Sequence, residues 1–249
     1  VSNQIAFLAL KRRFGIELVR AKGDDGTGVD HDDFEKQLKT RRPKLVAVTH
    51  VPTNSGLVQP VATLGQLVKQ HSDAFYLVDA CQSAGQMPLD VHTIGCDFLS
   101  ATFRKFLRGP RGTGFLYVSD RVLKSDMEMM LPDMRSALWT GVDTYEPVAD
   151  ARRFEYWEMP VALQLGAGVA AEYAMHLGLD WIKDRTSTLA AALRGMLREI
   201  PGVRVLDVGE KLSGIVTLHH DRWQPQGITQ WLGENNINGR ISTKTVAQI

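Results

Sequence analysis

The sequence has few of the features that mark secreted, membrane or nucleic-acid-binding proteins. Only two of its 249 residues are cysteines, Cys81 and Cys96, and they form no Cys-x-x-Cys pair. We therefore expect a reduced, cytoplasmic compartment and no metal site. The 29 basic and 28 acidic residues leave a net charge of +1, which gives no attraction to nucleic acid or to an anionic membrane. The longest apolar run, residues 161–174, is interrupted by polar residues and is too short to span a bilayer.

The sequence also lacks an initiator methionine and begins directly in a helix-like pattern. From this we expect a fragment of a longer protein. What is present is a chain with 44% hydrophobic residues, enough for one large folded unit and a smaller one.

Short apolar runs alternate with helical segments in the first part of the chain, a pattern typical of βαβ units with helices on both faces of a mostly parallel sheet. Strands are predicted at residues 16–19, 45–48, 75–78, 98–102 and 114–118, with helices at 5–10, 31–38 and 61–70. The segment 109–114 is too short for a crossover helix, so the last strand should return antiparallel. The predicted fold class is therefore α/β with a mixed, mainly parallel sheet.

A second, smaller unit is predicted after a long helical region. The helical pattern from residue 158 to residue 200 is interrupted near Gly178. It is followed by an α+β pattern, with strands at 203–208, 214–218 and 237–241 and a helix at 228–232. We place the boundary near Leu177, which gives a large unit, 1–177, and a small C-terminal unit, 178–249.

Two polar residues follow predicted strands, where open α/β sheets bind ligands. Asp79 comes directly after the apolar run 75–78, where a surface role is a poor explanation for a carboxylate, although a helix cap remains an alternative. Lys105 follows the run 98–102. Burial there would lower the pKa of Lys105 and make its amine nucleophilic.

Other polar motifs have simpler explanations. Residues 30–33, Asp-His-Asp-Asp, precede a predicted helix, and acidic side chains there favour a helix cap over a metal site. The glycines of segment 109–114 lack the Gly-Lys-Ser/Thr ending of a nucleotide-binding loop, so we expect a tight turn.

Three segments in order carry a family resemblance: 53–56 (Thr-Asn-Ser-Gly), 78–82 (Val-Asp-Ala-Cys-Gln) and 100–105 (Ser-Ala-Thr-Phe-Arg-Lys). In order and separation they resemble the class V aminotransferase and cysteine desulfurase family of fold-type I enzymes, whose cofactor is pyridoxal 5'-phosphate (PLP). The resemblance runs across nearly the whole chain and includes the isopenicillin N epimerase-like and ergothioneine-pathway lyase-like branches. It implies a seven-stranded sheet of the PLP-dependent transferase type in unit 1–177, a small domain at 178–249, missing segments at both ends, and a homodimer.

The resemblance also implies roles for individual residues. Lys105 would carry PLP as a Schiff base, Asp79 would pair with the pyridine nitrogen, and Gln82 would bond the ring hydroxyl. Asn54 would lie near that hydroxyl and the substrate. Two residues close before the lysine would contact the phosphate: Thr102 and Arg104.

The sequence departs from the desulfurases at several positions. Arg104 stands where they usually have histidine, and residues 153–158 read Arg-Phe-Glu-Tyr-Trp-Glu where they have Gly-Thr after Arg-Phe-Glu. A desulfurase also needs a nucleophilic cysteine late in the chain, and none follows Cys96. The resemblance would put a ring-stacking residue before Val1 and a carboxylate-binding arginine beyond Ile249.

The expected function is a PLP-dependent enzyme acting at the α-carbon of an amino acid, of the class V aminotransferase type. A carbon–sulfur lyase and an amino-acid epimerase are alternatives, and cysteine desulfurase is disfavoured unless a cysteine lies beyond Ile249. From a different class of protein, a non-catalytic dimerisation or regulatory fragment would retain the same fold.

Overall fold

The computed structural model describes residues 2–24, 28–243 and 246–248. In these residues the chain forms two four-stranded sheets and two short two-stranded ones. Within the described part of the chain, no helix combines the length and the apolar character needed to cross a membrane.

The elements alternate along the chain as βαβ units require. The α-helices are α1 (Ser2–Phe14), α2 (His31–Arg41), α3 (Val61–His71), α4 (Val91–Ile94), α5 (Asp120–Leu123), α6 (Val161–Leu177), α7 (Leu179–Arg198) and α8 (Pro225–Glu234). The strands are β1 (Gly23–Asp24), β2 (Gly28–Val29), β3 (Leu45–Thr49), β4 (Phe75–Asp79), β5 (Phe98–Thr102), β6 (Gly114–Val118), β7 (Ala137–Gly141), β8 (Thr144–Pro147), β9 (Val203–Val205), β10 (Thr217–His220), β11 (Arg240–Thr243) and β12 (Val246–Gln248). A 3-10 helix covers Ala151–Phe154.

The first sheet has the order β3-β4-β5-β6. Strands β3, β4 and β5 are parallel, and β6 returns antiparallel beside β5. The predicted mixed, mainly parallel sheet is therefore confirmed. Four strands make up this sheet in the described residues, so the seven-stranded sheet stays a prediction.

Helices α2 and α3 cover one face of this sheet. Helix α2 begins at the predicted cap, since the Asp30 carboxylate accepts a hydrogen bond from the Asp33 N–H at 3.0 Å. Helix α3 buries Leu64, Gly65 and Val68. Helix α3 also packs closely against α4, because a Cβ at Gly65 would clash with the carbonyl oxygen of Ile94.

The opposite face is covered only in part, and not by long helices as expected. Val122 of α5 and Phe154 of the 3-10 helix join Phe98 in a small apolar cluster. Leu45 at the start of β3 is exposed. This difference explains why the alternating burial of β3, with Val46 buried, is that of a strand covered on one face.

Arg153 has a structural role within segment 153–158. Its guanidinium is buried and donates hydrogen bonds to the carbonyl oxygens of Val148, Ser125 and Met127. These bonds satisfy carbonyls in loops that lie beneath the sheet. The departure from the desulfurase pattern begins after this arginine and leaves its packing intact.

The second sheet is antiparallel throughout, with the order β11-β12-β10-β9. Apolar residues of α7, including Ala190 and Leu197, pack against Val216 and Leu218. The break predicted near Gly178 is confirmed, since α6 ends and α7 begins there and Gly178 has φ of 85°. The two-domain division stays a prediction.

A buried ion pair connects the second sheet to the first. The Nε atom of Arg194 donates to the Asp207 carboxylate at 3.0 Å, and both side chains are almost fully buried. Asp207 also accepts from the N–H groups of Gly56 at 2.9 Å and Thr217 at 3.0 Å. Arg194 donates in turn to the carbonyl oxygens of loop 213–215.

Three predictions about strands were wrong in whole or in part. Residues 16–19 belong to no strand or helix, and they have no partner strand among the described residues. The strands predicted at 203–208 and 214–218 are shorter or shifted, because Asp207 and loop 213–215 are engaged by Arg194. The exposed β7–β8 hairpin was missed, since its side chains follow no buried alternation.

Replacing Arg194 by methionine should lower the free energy of unfolding by about 3–5 kcal/mol, because the Asp207 carboxylate stays buried without its counter-charge. Urea denaturation measures the change. Arg204→Met is the matched control, since Arg204 pairs with Asp221 on the surface. Equal losses for the two variants would contradict the role assigned to the buried pair.

Candidate active site at the carboxyl edge of the parallel strands

Three loops meet at one edge of the first sheet. Because β3, β4 and β5 are parallel, the loops that follow them leave from the same edge. Backbone hydrogen bonds connect the loop starts, from the His50 N–H to the Asp79 carbonyl at 3.0 Å and from the Ala80 N–H to the Ser100 carbonyl at 2.8 Å. The loops carry Asn54, Gln82 and Lys105 respectively.

Asp79 ends the central strand β4 and is half-buried. One carboxylate oxygen accepts a hydrogen bond from Nδ2 of Asn3 at 2.6 Å, and the other accepts from the Cys81 N–H at 3.0 Å. The Cys81 contact closes a local turn, and since residues 81–90 form no helix, the helix cap considered from the sequence is not formed here. A carboxylate has about four acceptor positions, so two donors leave room for a third.

The turn after β4 is fixed by buried polar side chains. Gln82 is buried, and its carbonyl oxygen accepts from Nε2 of Gln86 at 2.8 Å. Nδ1 of His50 lies 3.0 Å from Oγ of Ser83. Burial lowers the pKa of His50 to about 4, so the ring is neutral near pH 7.

The Gln86 side chain extends this network to loop 213–215. Its Oε1 accepts a short hydrogen bond from the Gly214 N–H. Loop 213–215 therefore contacts both the turn after β4, through Gln86, and the loop after β3, through the Ser213 N–H and the Gly56 carbonyl at 2.7 Å.

Lys105 lies in a short hairpin loop between β5 and β6. The Phe103 N–H donates to the Thr113 carbonyl at 3.2 Å, and the Gly109 N–H donates to the Phe103 carbonyl at 2.8 Å. The turn predicted in segment 109–114 is present at residues 111–112, where Gly112 has φ of 85°. Oγ1 of Thr102 donates to the same Thr113 carbonyl at 3.1 Å, so its proton must turn away to contact a phosphate.

Gly85 lets the Gln82 turn approach the Lys105 loop. Its φ is 81°, in the left-handed region, and a Cβ there would meet the Leu107 nitrogen at 2.6 Å. A side chain at this position is therefore excluded both by backbone conformation and by space. The backbones that carry Gln82 and Lys105 are in contact here.

The surroundings of Lys105 favour its neutral form. Partial burial lowers the pKa of the Lys105 amine, and the positive charges of Arg104 and Arg240 act in the same direction. Cys81 and Asp79 interact with the same amine and act in the opposite direction. A partly buried lysine near a carboxylate is in the kind of environment that makes an amine nucleophilic.

Neither cysteine of the chain is a thiolate at neutral pH. Burial raises the pKa of Cys81 to about 11, and a hydrogen bond to Asp79 adds to the effect. Burial also raises the pKa of Cys96 to about 11. A thiol in this state is a poor nucleophile.

The sequence analysis missed two residues of this site. Arg240, in β11, interacts electrostatically with Lys105, and its Nη2 donates to the Thr53 carbonyl at 3.2 Å. The carboxylate-binding arginine had been expected beyond Ile249. Asn3 lies 76 positions from Asp79, and no spacing rule connects such residues. The available signal for Arg240 was its position inside the predicted strand 237–241.

The predicted site residues are brought together unequally. Asp79, Lys105 and Arg104 each interact electrostatically with Cys81. Gln82 is buried in the adjoining turn. Asn54 lies on the loop after β3 and is exposed, and Arg104 is exposed as well. A cleft of about 300 Å³ adjoins the site; it is lined by Gly85, Lys105, Phe106, Arg108, Leu177, Trp181, Ile182, Arg185 and Thr186.

Comparison with known proteins agrees with this arrangement. The sequence model of the family "Aminotransferase class-V" matches residues 1–247. The chain is 30% identical over 233 residues to a probable cysteine desulfurase of Methanothermobacter thermautotrophicus, covering 94% of this chain and 57% of that protein. It is 29% identical over 202 residues to a probable hercynylcysteine sulfoxide lyase of Mycobacterium tuberculosis, covering 81% and 48% respectively.

A solved structure shows the same fold. The apo cysteine desulfurase of Thermococcus onnurineus superposes with a TM-score of 0.87 at 28% identity, over 96% of this chain and 59% of that one. The chain therefore belongs to the class-V aminotransferase family of PLP-dependent enzymes. It spans somewhat more than half the length of the M. thermautotrophicus desulfurase.

Because burial lowers the pKa of Lys105, its amine should become reactive at lower pH than its usual value allows. Labelling with limiting acetic anhydride across a pH series, followed by peptide mass spectrometry, gives the titration of each lysine. The exposed Lys183 serves as the reference within the same sample. Titration of Lys105 at or above pH 10.5 would contradict this expectation.

Proposed function

We propose that the chain is the cofactor-binding part of a PLP-dependent enzyme that acts at the α-carbon of an amino acid. The observation that carries the proposal is the grouping of Lys105 and Asp79 at the ends of neighbouring parallel strands, with burial lowering the pKa of the lysine. This pair matches the two chemical demands of PLP, an amine that can bond its carbonyl carbon and a carboxylate for its ring nitrogen.

The donor set of the site fits the rest of the cofactor. Gln82 would bond the ring hydroxyl and Asn54 would lie near that hydroxyl and the substrate. Thr102 and Arg104 would contact the phosphate, and a guanidinium offers charge-assisted donors in place of histidine. When bound, PLP withdraws electrons from the substrate α-carbon and so makes its proton acidic.

Lys105 would also move a proton when its amine is not bonded to the cofactor. Its freed amine, whose neutral form is favoured by burial, would accept the proton from the substrate α-carbon. Arg240 interacts with this amine and could hold the substrate carboxylate through a bidentate pair. We therefore assign Arg240 the carboxylate-binding role that was expected beyond Ile249.

One consideration favours carbon–sulfur bond cleavage over transamination as the reaction, and a second argues against Cys81 and Cys96 as persulfide carriers. The relatives described above are named cysteine desulfurases and a sulfoxide lyase. Both cysteines of the chain have a pKa of about 11, which suits neither for taking sulfur as a persulfide. We accordingly put carbon–sulfur lyase chemistry first, and the aminotransferase and epimerase second.

A homodimer is also proposed. The β7–β8 hairpin exposes 80% of Trp139 and 88% of Val142, with Leu138 and Tyr145 beside them. An apolar patch of this kind is typical of a protein–protein interface. The large unit 1–177, the small unit 178–249 and a cytoplasmic location complete the proposal.

Addition of PLP should produce a visible absorption band, and borohydride reduction should then attach the cofactor mass to the peptide containing Lys105. Lys105→Ala should lose both signals, because the Lys105 amine is the one that interacts with Asp79 among the described residues. Lys183→Ala, a surface lysine, should retain them. Failure of the unaltered protein to bind PLP would favour the non-catalytic alternative.

The reaction type follows from products formed with a panel of amino acids and S-substituted cysteines. Sulfide or sulfenate release with pyruvate indicates a lyase, a 2-oxo acid with aminated cofactor indicates a transaminase, and loss of optical activity alone indicates an epimerase. We expect the first result. Transamination as the main outcome would overturn the preferred order.

A further inference from the structure

The contact between Asn3 and Asp79 has a role beyond attaching helix α1. Nδ2 of Asn3 donates to Oδ2 of Asp79 at 2.6 Å, while the Cys81 N–H holds Oδ1 at 3.0 Å. Each oxygen of the carboxylate therefore has its own donor. Two donors on different oxygens fix the plane of a carboxylate, which otherwise rotates freely about its terminal bond.

The arrangement is poorly explained as a means of packing helix α1. Several apolar side chains of this helix are exposed, among them Ile5, Leu8 and Phe14. A hydrogen bond to a charged group contributes more than one between neutral groups. The Asn3 amide makes this stronger bond to the Asp79 carboxylate at the end of β4, and not to the apolar core.

We infer that Asn3 is a positioning residue, which orients the Asp79 carboxylate so that its remaining acceptor position meets the ring nitrogen of PLP. The inference rests on the proposed function, since it assigns Asp79 to that nitrogen. The amide suits this task because it donates without a charge of its own, and so leaves the negative charge of Asp79 available to the cofactor.

The test compares PLP affinity, measured by equilibrium titration of the absorption band, in Asn3→Leu and in Gln4→Leu. Gln4 is the next amide of the same helix and is exposed. We expect Asn3→Leu to bind PLP roughly tenfold more weakly, as the loss of one charge-assisted hydrogen bond implies. The pH dependence of the bound-cofactor spectrum should change as well, because the contact at the ring nitrogen is altered. Gln4→Leu should leave both unchanged.

A double-mutant cycle with Asp79→Asn separates positioning from packing. If Asn3 acts through Asp79, Asn3→Leu should have little further effect on PLP affinity in the Asp79→Asn background. An equal loss in both backgrounds, or an unchanged affinity and spectrum in Asn3→Leu, would overturn the inference. Absence of PLP binding in the unaltered protein would instead refute the proposed function.

Asn3→Asp keeps the test valid if the leucine variant does not fold, because it preserves the size of the side chain. At neutral pH the introduced carboxylate repels Asp79, and PLP affinity should fall relative to the unaltered protein. Lowering the pH protonates the introduced carboxyl, which can then donate, so the deficit should shrink. A deficit that is independent of pH would contradict the inference.

Discussion

The buried pair of Arg194 and Asp207 is the interaction on which the rest of the structure depends. Two charges removed from water are tolerated only where hydrogen bonds satisfy their remaining donors and acceptors. Here those partners are backbone groups of Gly56, Thr217 and loop 213–215. The hydrogen bonds to this buried carboxylate thus hold the loop after β3 against the second sheet. Loop 213–215 in turn contacts Gln86, whose side chain bonds the backbone of Gln82.

The candidate site inherits its geometry from this framework. Parallel strands bring the loops after β3, β4 and β5 to one edge, and Gly85 lets two of those loops touch. Asp79 and Lys105 are held in common surroundings, although 26 positions separate them along the chain. Membership of the class-V aminotransferase family gives this edge a chemical meaning.

Features set by neighbouring residues could be predicted from the sequence. The Asp30 cap, the break at Gly178 and the antiparallel return of β6 all follow from side chains within a few positions of one another. Lys105 and Asp79 were recognised because each lies at or just beyond the end of an apolar run. The contacts of Asn3 and of Arg194 could not be predicted, since each depends on where a distant segment comes to lie. Residues 16–19 show the same limit, because a strand exists only with a neighbour.

The hairpin that carries Lys105 is fastened at both ends by the ladder between β5 and β6. Its backbone is further closed by the bonds of Phe103 to Thr113 and of Gly109 to Phe103. In the proposed role, Lys105 would have to release the cofactor and bind it again in every turnover. Because the main chain is restrained, this movement would come from rotation about the bonds of the four methylenes in the Lys105 side chain.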